Sequence, residues 1–157
     1  MKNKVTVLMK IRHFTSPLYV PSIEHSGFIE LEGYHFMMAI SDPKKDEYHT
    51  TLNQYGHKNF MALKRSYKQF RFVWFTEEET YNSSDDYGKA LPFFEFDSQD
   101  IDVIPWSKQR QMYGSNRAKQ KQVVTMDEAA IDKGDNPYKW WVSRKRVSIE
   151  CGTLHFQ

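Results

Sequence analysis

The spacing of apolar residues changes along this chain, from every second position to every third or fourth and back again. That change constrains the fold more than any other feature. Val5, Val7, Met9 and Ile11 alternate with Thr6, Leu8, Lys10 and Arg12, which is the period of a half-buried strand over 4–12. Phe28-Ile-Glu-Leu-Glu32 and Tyr34-His-Phe-Met-Met-Ala-Ile40 flank Gly33 and predict a hairpin of strands 28–32 and 34–40. Its second strand would bury Tyr34, Phe36, Met38 and Ile40 on one face. Between Lys58 and Phe70 the spacing shifts. Phe60, Leu63, Tyr67 and Phe70 recur at three and four, with Lys58, Lys64, Arg65 and Lys68 opposite. This predicts an amphipathic helix over 58–69 with a basic outer face.

Phe70-Arg-Phe-Val-Trp-Phe75 then reads as a strand, and 91–96 and 101–104 as two shorter ones. Thr125-Met-Asp-Glu128 has the form of a capping box and predicts the start of a short helix that Gly134 would end. Asn136-Pro137 breaks the chain, 138–149 reads as one strand, and Gly152 marks a turn before Leu154-His-Phe156. Strands and helices are interspersed without a βαβ rhythm. The expected class is therefore α+β, a mostly antiparallel sheet with one or two packed helices. At 157 residues the chain is expected to form a single domain over 1–157. An exposed polar, basic segment interrupts it at about 108–122. Four Gln and five Lys/Arg there leave little to bury, so it is an exposed loop, an exposed helix or a segment that orders on binding.

Aromatic residues make up 15% of the chain, too many for a solvated tail. The single cysteine, Cys151, excludes an intrachain disulfide and a multi-cysteine zinc site. The N-terminal apolar run is too short for a signal peptide, and no stretch is long enough to span a bilayer. With the free thiol, the expectation is a cytoplasmic protein with no membrane partner.

Charge falls in three blocks. Residues 1–75 carry eleven Lys/Arg against six Asp/Glu, 76–107 carry one against nine, and 108–157 carry ten against five. A net of +2 thus hides an acidic middle between two basic flanks. In the last block, Lys108, Arg110, Arg117, Lys119 and Lys121 precede Lys139, Arg144, Lys145 and Arg146, which sit beside Tyr138, Trp140 and Trp141. Spaced cations neutralise phosphates and exposed aromatic faces stack on unpaired bases, so this mixture suits RNA or single-stranded DNA. Tryptophans also anchor cores, and Lys/Arg also decorate the solvent side of strands, so the stretch has a purely structural reading as well. In the acidic block, Asp85, Asp86, Asp97, Asp100 and Asp102 form a field that could imitate a polyanion towards a basic protein partner. They could also be ordinary solvent-facing charges.

Two His-x-Thr triplets occur, His13-Phe-Thr15 and His49-Thr-Thr51. The arrangement resembles two-histidine phosphoesterases, and the resemblance covers six residues. It implies one imidazole as base, the other as acid, and hydroxyls holding the phosphate. Ser16 and Pro17 depart from that family's pattern. The stretch from Gly33 to Lys45, with Ser41-Asp-Pro-Lys44 at its end, resembles the endoribonucleases of type III toxin–antitoxin systems. There Ser41 would match a hydroxyl position, while Asp42 departs from it. No glycine loop for phosphates is present, and the five histidines from His13 to His57 never fall at metal-ligand spacing, so no cofactor or metal is expected.

The first expectation is therefore a small nucleic-acid-binding protein acting through its C-terminal half, within a larger complex. The second is a charged protein–protein effector or inhibitor. The third is an endoribonuclease or phosphoesterase using His13, His49 or Ser41.

Overall fold

The computed structural model describes residues 9–69, 71–82 and 92–156. Val5 and Val7 of the expected first strand lie outside that range, as do Asp85 and Asp86. The described residues form an α+β structure around a six-stranded antiparallel sheet in the order β5-β6-β3-β1-β4-β8, with a two-stranded β2-β7 pair. The strands are β1 (Lys10–Phe14), β2 (Phe28–Ile29), β3 (Val73–Thr76), β4 (Phe93–Asp97), β5 (Ile104–Pro105), β6 (Trp140–Ser143), β7 (Val147–Ser148) and β8 (Thr153–His155). Among the described residues five helices accompany them: α1 (Val20–Ser26), α2 (Tyr34–Ser41), α3 (Asp46–Gln69), α4 (Trp106–Gln111) and α5 (Arg117–Asp132). None of the described helices is long and apolar enough to cross a membrane.

Alternation along the strands sends side chains to two cores. Ile11, Val73, Phe75, Phe94 and Phe96 share one face and are sealed by Ile23 of α1, Ile29 of β2 and Val147 of β7. On the other face Trp140 and Val142 join Phe72, Trp106, Val123 and Ala130 beneath α4 and α5. Trp106 is fully buried, with its ring 4.9 Å from that of Trp74.

Several expectations are corrected. Residues 34–40 form α2, not a strand. Gly33, in the left-handed region at φ 72°, starts a helix there instead of turning a hairpin. Met37 and Ile40 lie three apart on it and meet Phe60, Leu52 and Tyr48 of α3 in a small core of their own. The helix expected at 58–69 is the second half of α3, which begins at Asp46 and breaks at Gly56. Its Phe60 packs on α2. The capping box at Thr125 is not used. Asn116 caps α5 by accepting from the Lys119 N–H, and Thr125 lies mid-helix, donating to the Lys121 carbonyl. Residues 138–149 are not one strand. A 3-10 turn, Pro137–Lys139, leads into β6, and β7 follows in the other pair because Val147 and Ser148 align with Ile29 and Phe28.

Candidate functional site: a cleft where the central strands part

β1 holds β4 through five register pairs, Lys10 to Phe14 against Asp97 to Phe93. β3 likewise holds β6 through four. Between β1 and β3, at the centre of the sheet, the register has one rung, Arg12 opposite Thr76. On one side of that rung the Arg12 guanidinium continues the join, donating to the Glu77 and Glu78 carbonyls at 2.9 and 3.2 Å. On the other side the ladder is replaced by a side chain. His13 Nδ1 donates to the Trp74 carbonyl at 2.8 Å, satisfying a carbonyl that a neighbouring strand would otherwise bond. The two half-sheets therefore separate beyond His13.

A cavity of about 500 Å³ occupies the gap. Phe14 of β1, Phe72 just before β3, Trp74 of β3 and Trp140 of β6 give it aromatic walls. Tyr34 and Phe36 of α2 close one side, and Met126 and Ala129 of α5, with Lys133 just past its end, another. A mostly apolar concave surface of this size with a few polar groups is the usual form of a small-ligand site.

Three of those polar groups matter most. The carbonyl can only accept, so His13 carries its proton on Nδ1 and leaves Nε2 as an acceptor. Desolvation lowers its proton affinity below the ordinary value of 6.5, outweighing the carbonyl bond, so the ring is neutral near pH 7. Glu32 is an exposed residue that lines the cleft. Desolvation raises its proton affinity above 4.5, and the Trp74 indole opposes this more weakly. The Trp74 Nε1–H is itself buried and has no hydrogen-bond partner of good geometry. Glu32 is held at this place by its backbone N–H, which donates to the Phe72 carbonyl at 2.7 Å. Opposite shifts on two titratable groups in one cavity are a recurrent mark of functional sites.

The residues expected from sequence to bind nucleic acid divide into two sets. Trp140 is only 6% exposed and belongs to the core. Trp141 is half-buried, its indole donating to Glu77 at 3.1 Å. Arg110 is paired with the buried Asp127, and Arg144 donates twice to Gln109 Oε1, at 3.1 and 2.7 Å. Arg146 lies over the Phe28 ring, 3.9 Å from its centre, and the same distance separates it from Glu30. Lys119 is half-buried over the Tyr113 ring. Lys108, Arg117, Lys121, Lys139 and Lys145 are exposed, as is Tyr138, at 68%, with Arg110 over its ring.

Much of the acidic block is used within the fold. Glu78 accepts from the Asn136 N–H at 2.7 Å, and Glu95 meets Lys10 and Arg12 at 3.6 and 3.2 Å. Asp100 and Asp102 remain exposed in the turn after β4, and Asp97 ends that strand half-buried. His49 is exposed on α3, its Nε2 2.7 Å from the Pro43 carbonyl. It does not line the cleft with His13. Ser41 is the exposed last residue of α2, so the strand on which the toxin-like resemblance rested is a helix.

Sequence reasoning missed Glu32 and Trp74. Glu32 looked like the polar side of a strand and Trp74 like part of a β-prone run. No local signal marks either, because the cleft joins segments some forty residues apart. Among the described residues no group of three or more His, Cys, Asp or Glu side chains stands where it could hold a metal ion. No protein-family model, curated protein or solved structure matches this chain.

Proposed function

We propose that this protein binds single-stranded nucleic acid, taking an unpaired base into the cleft between β1 and β3 while exposed cations outside it meet the phosphates. The observation that carries this reading is the aromatic-walled cavity at the parted strands. Nucleobases are planar and mostly apolar on their faces, with polar edges, and single-strand binders stack them on side chains such as Trp74, Tyr34 and Phe36. Supporting it, α5 supplies both one wall of the cleft and the exposed Arg117 and Lys121, and Lys139 directly precedes Trp140 of the wall. An intracellular setting goes with such a partner, and would keep the exposed thiol of Cys151 reduced.

Fluorescence anisotropy with labelled single-stranded RNA and DNA, at two salt concentrations, tests the proposal. Phe36→Ala should weaken binding without loss of fold, since Phe36 is partly exposed. Replacing Lys121, Lys139 and Lys145 by Glu should weaken it and flatten the log–log salt dependence by about one unit for each phosphate left without its cation. No binding by the unaltered protein even at low salt would overturn the reading.

A further inference from the structure

Resting on that reading, we propose that the cleft is specific for guanine, with the Glu32 carboxylate accepting from the base's ring N1–H and its exocyclic N2–H.

The polar chemistry of the cavity leads there. Among the described residues two carboxylates line it, and Glu30 is turned towards Arg146. That leaves Glu32 as the acidic group available to a ligand. A carboxylate is a fork of two acceptors, and the ligand edge that matches it presents two donors side by side. Of the common bases, guanine alone does so. Adenine and cytosine set an amino group beside a bare ring nitrogen, and uracil sets one N–H between two carbonyls. An arginine-like or ammonium ligand would also suit a carboxylate, but Lys133 lines the same cavity and Arg71 lies 6.0 Å from the centre of the Tyr34 ring, which opposes a cation.

The groups around Glu32 are poised for such an edge. Burial against the cavity walls pushes its carboxyl towards the protonated form, and the Trp74 indole opposes this more weakly. The buried Trp74 N–H faces that carboxyl without closing a bond of good geometry. An incoming guanine edge would supply two donors and draw the carboxylate into register with the indole, which acts as a positioning group. His13 Nε2 is a further acceptor in the same cavity.

The test uses the whole protein and changes the ligand before the protein. Heptameric RNAs of uridine carry guanosine, inosine, adenosine or cytidine at the centre, and free guanosine is a separate arm. Inosine keeps N1–H and lacks the N2 amino group, so the guanosine heptamer should bind about tenfold more tightly than the inosine one. Adenosine and cytidine heptamers should bind no better than inosine. Glu32→Gln, of nearly the same shape, should erase the preference for guanosine over inosine. Trp74→Phe should reduce the preference in part.

If all heptamers bind with equal affinity, base specificity is refuted and strand binding stands. If guanosine binds but no heptamer does, the carboxylate chemistry stands and the strand reading falls. If neither guanosine nor any heptamer binds, both fall. A guanosine preference that survives Glu32→Gln would move the recognition to another group and overturn the assignment.

Discussion

A desolvated ionisable group binds its proton differently once folded, and the cleft holds two such groups of opposite sign. His13 takes a proton less readily than the ordinary 6.5. Below that pH the unfolded chain gains a proton the folded chain resists, so this group removes stability as pH falls from 6.5 towards its lowered value. Glu32 binds its proton more tightly than the ordinary 4.5, so it adds stability as pH falls through the window above 4.5. Between these values the two oppose each other. His13→Asn keeps a donor for the Trp74 carbonyl and removes the first effect. Its stability, measured by urea unfolding at pH 5 and pH 7, should improve on acidification relative to the unaltered protein. Glu32→Gln should show the reverse. Parallel pH profiles in all three proteins would refute the desolvation account. Gly152 offers a second test at this scale. A Cβ there would lie 2.6 Å from the ring of buried Phe96, and rigid core neighbours cannot yield cheaply. Gly152→Ala should cost about 1–3 kcal/mol by overpacking, read as a lower urea midpoint.

Helix ends and breaks decide the elements. α5 begins at Arg117 because Asn116 accepts from the Lys119 N–H at 3.1 Å. Asn116→Ala should therefore cost about 1 kcal/mol. Thr125→Ala should be nearly neutral, because its hydroxyl only bonds back to the Lys121 carbonyl. The capping box predicts the opposite ranking, so the two urea curves distinguish the two helix starts. In α3, Gly56 sits at φ 78° and ψ 160°, a conformation open to glycine and strained for any other residue. Gly56→Ala should destabilise the protein by about 1–3 kcal/mol. Because α2 and α3 share the small core of Met37, Ile40 and Phe60, and α2 carries Tyr34 and Phe36 to the cleft, the same change should also weaken ligand binding.

Across the whole molecule, charge that looked like two opposed fields is partly folded inwards. Arg110 neutralises Asp127, a carboxylate with almost no exposed surface. Removing one partner leaves the other buried and charged, so Arg110→Ala should cost about 3 kcal/mol. Lys121→Ala, on the exposed side of the same helix as Asp127, should stay within about 0.5 kcal/mol. Thermal melts of the two variants provide the check. If both melt like the unaltered protein, Arg110 is as free as Lys121 and belongs with the surface cations. The acidic residues 77 and 78 likewise pin 135–141 against the end of β3, through Asn136 and Trp141. This keeps the Trp140 wall of the cleft in place.

What the sequence determined by itself is the kind of structure and much of its core. Ile11 could be assigned to a strand because a period of two is imposed locally, by alternation of side chains across a sheet, and Phe75, Phe94 and Phe96 because they lie in runs of β-prone aromatic residues. The second half of α3 was legible for the same reason, through its period of three and four. The α+β class followed from those two periods together. At 34–40 both periods fit the apolar residues, and only the packing of Met37 and Ile40 onto Phe60 selected the helix. The cleft was beyond local reasoning altogether. It exists because β1 stays with β4 while β3 stays with β6, and because one histidine replaces a rung between them. Strand order and the parting of two neighbours are long-range choices, made by which faces bury together, and no window of sequence contains them. Tertiary structure alone therefore brought Glu32, His13 and Trp74 into one cavity.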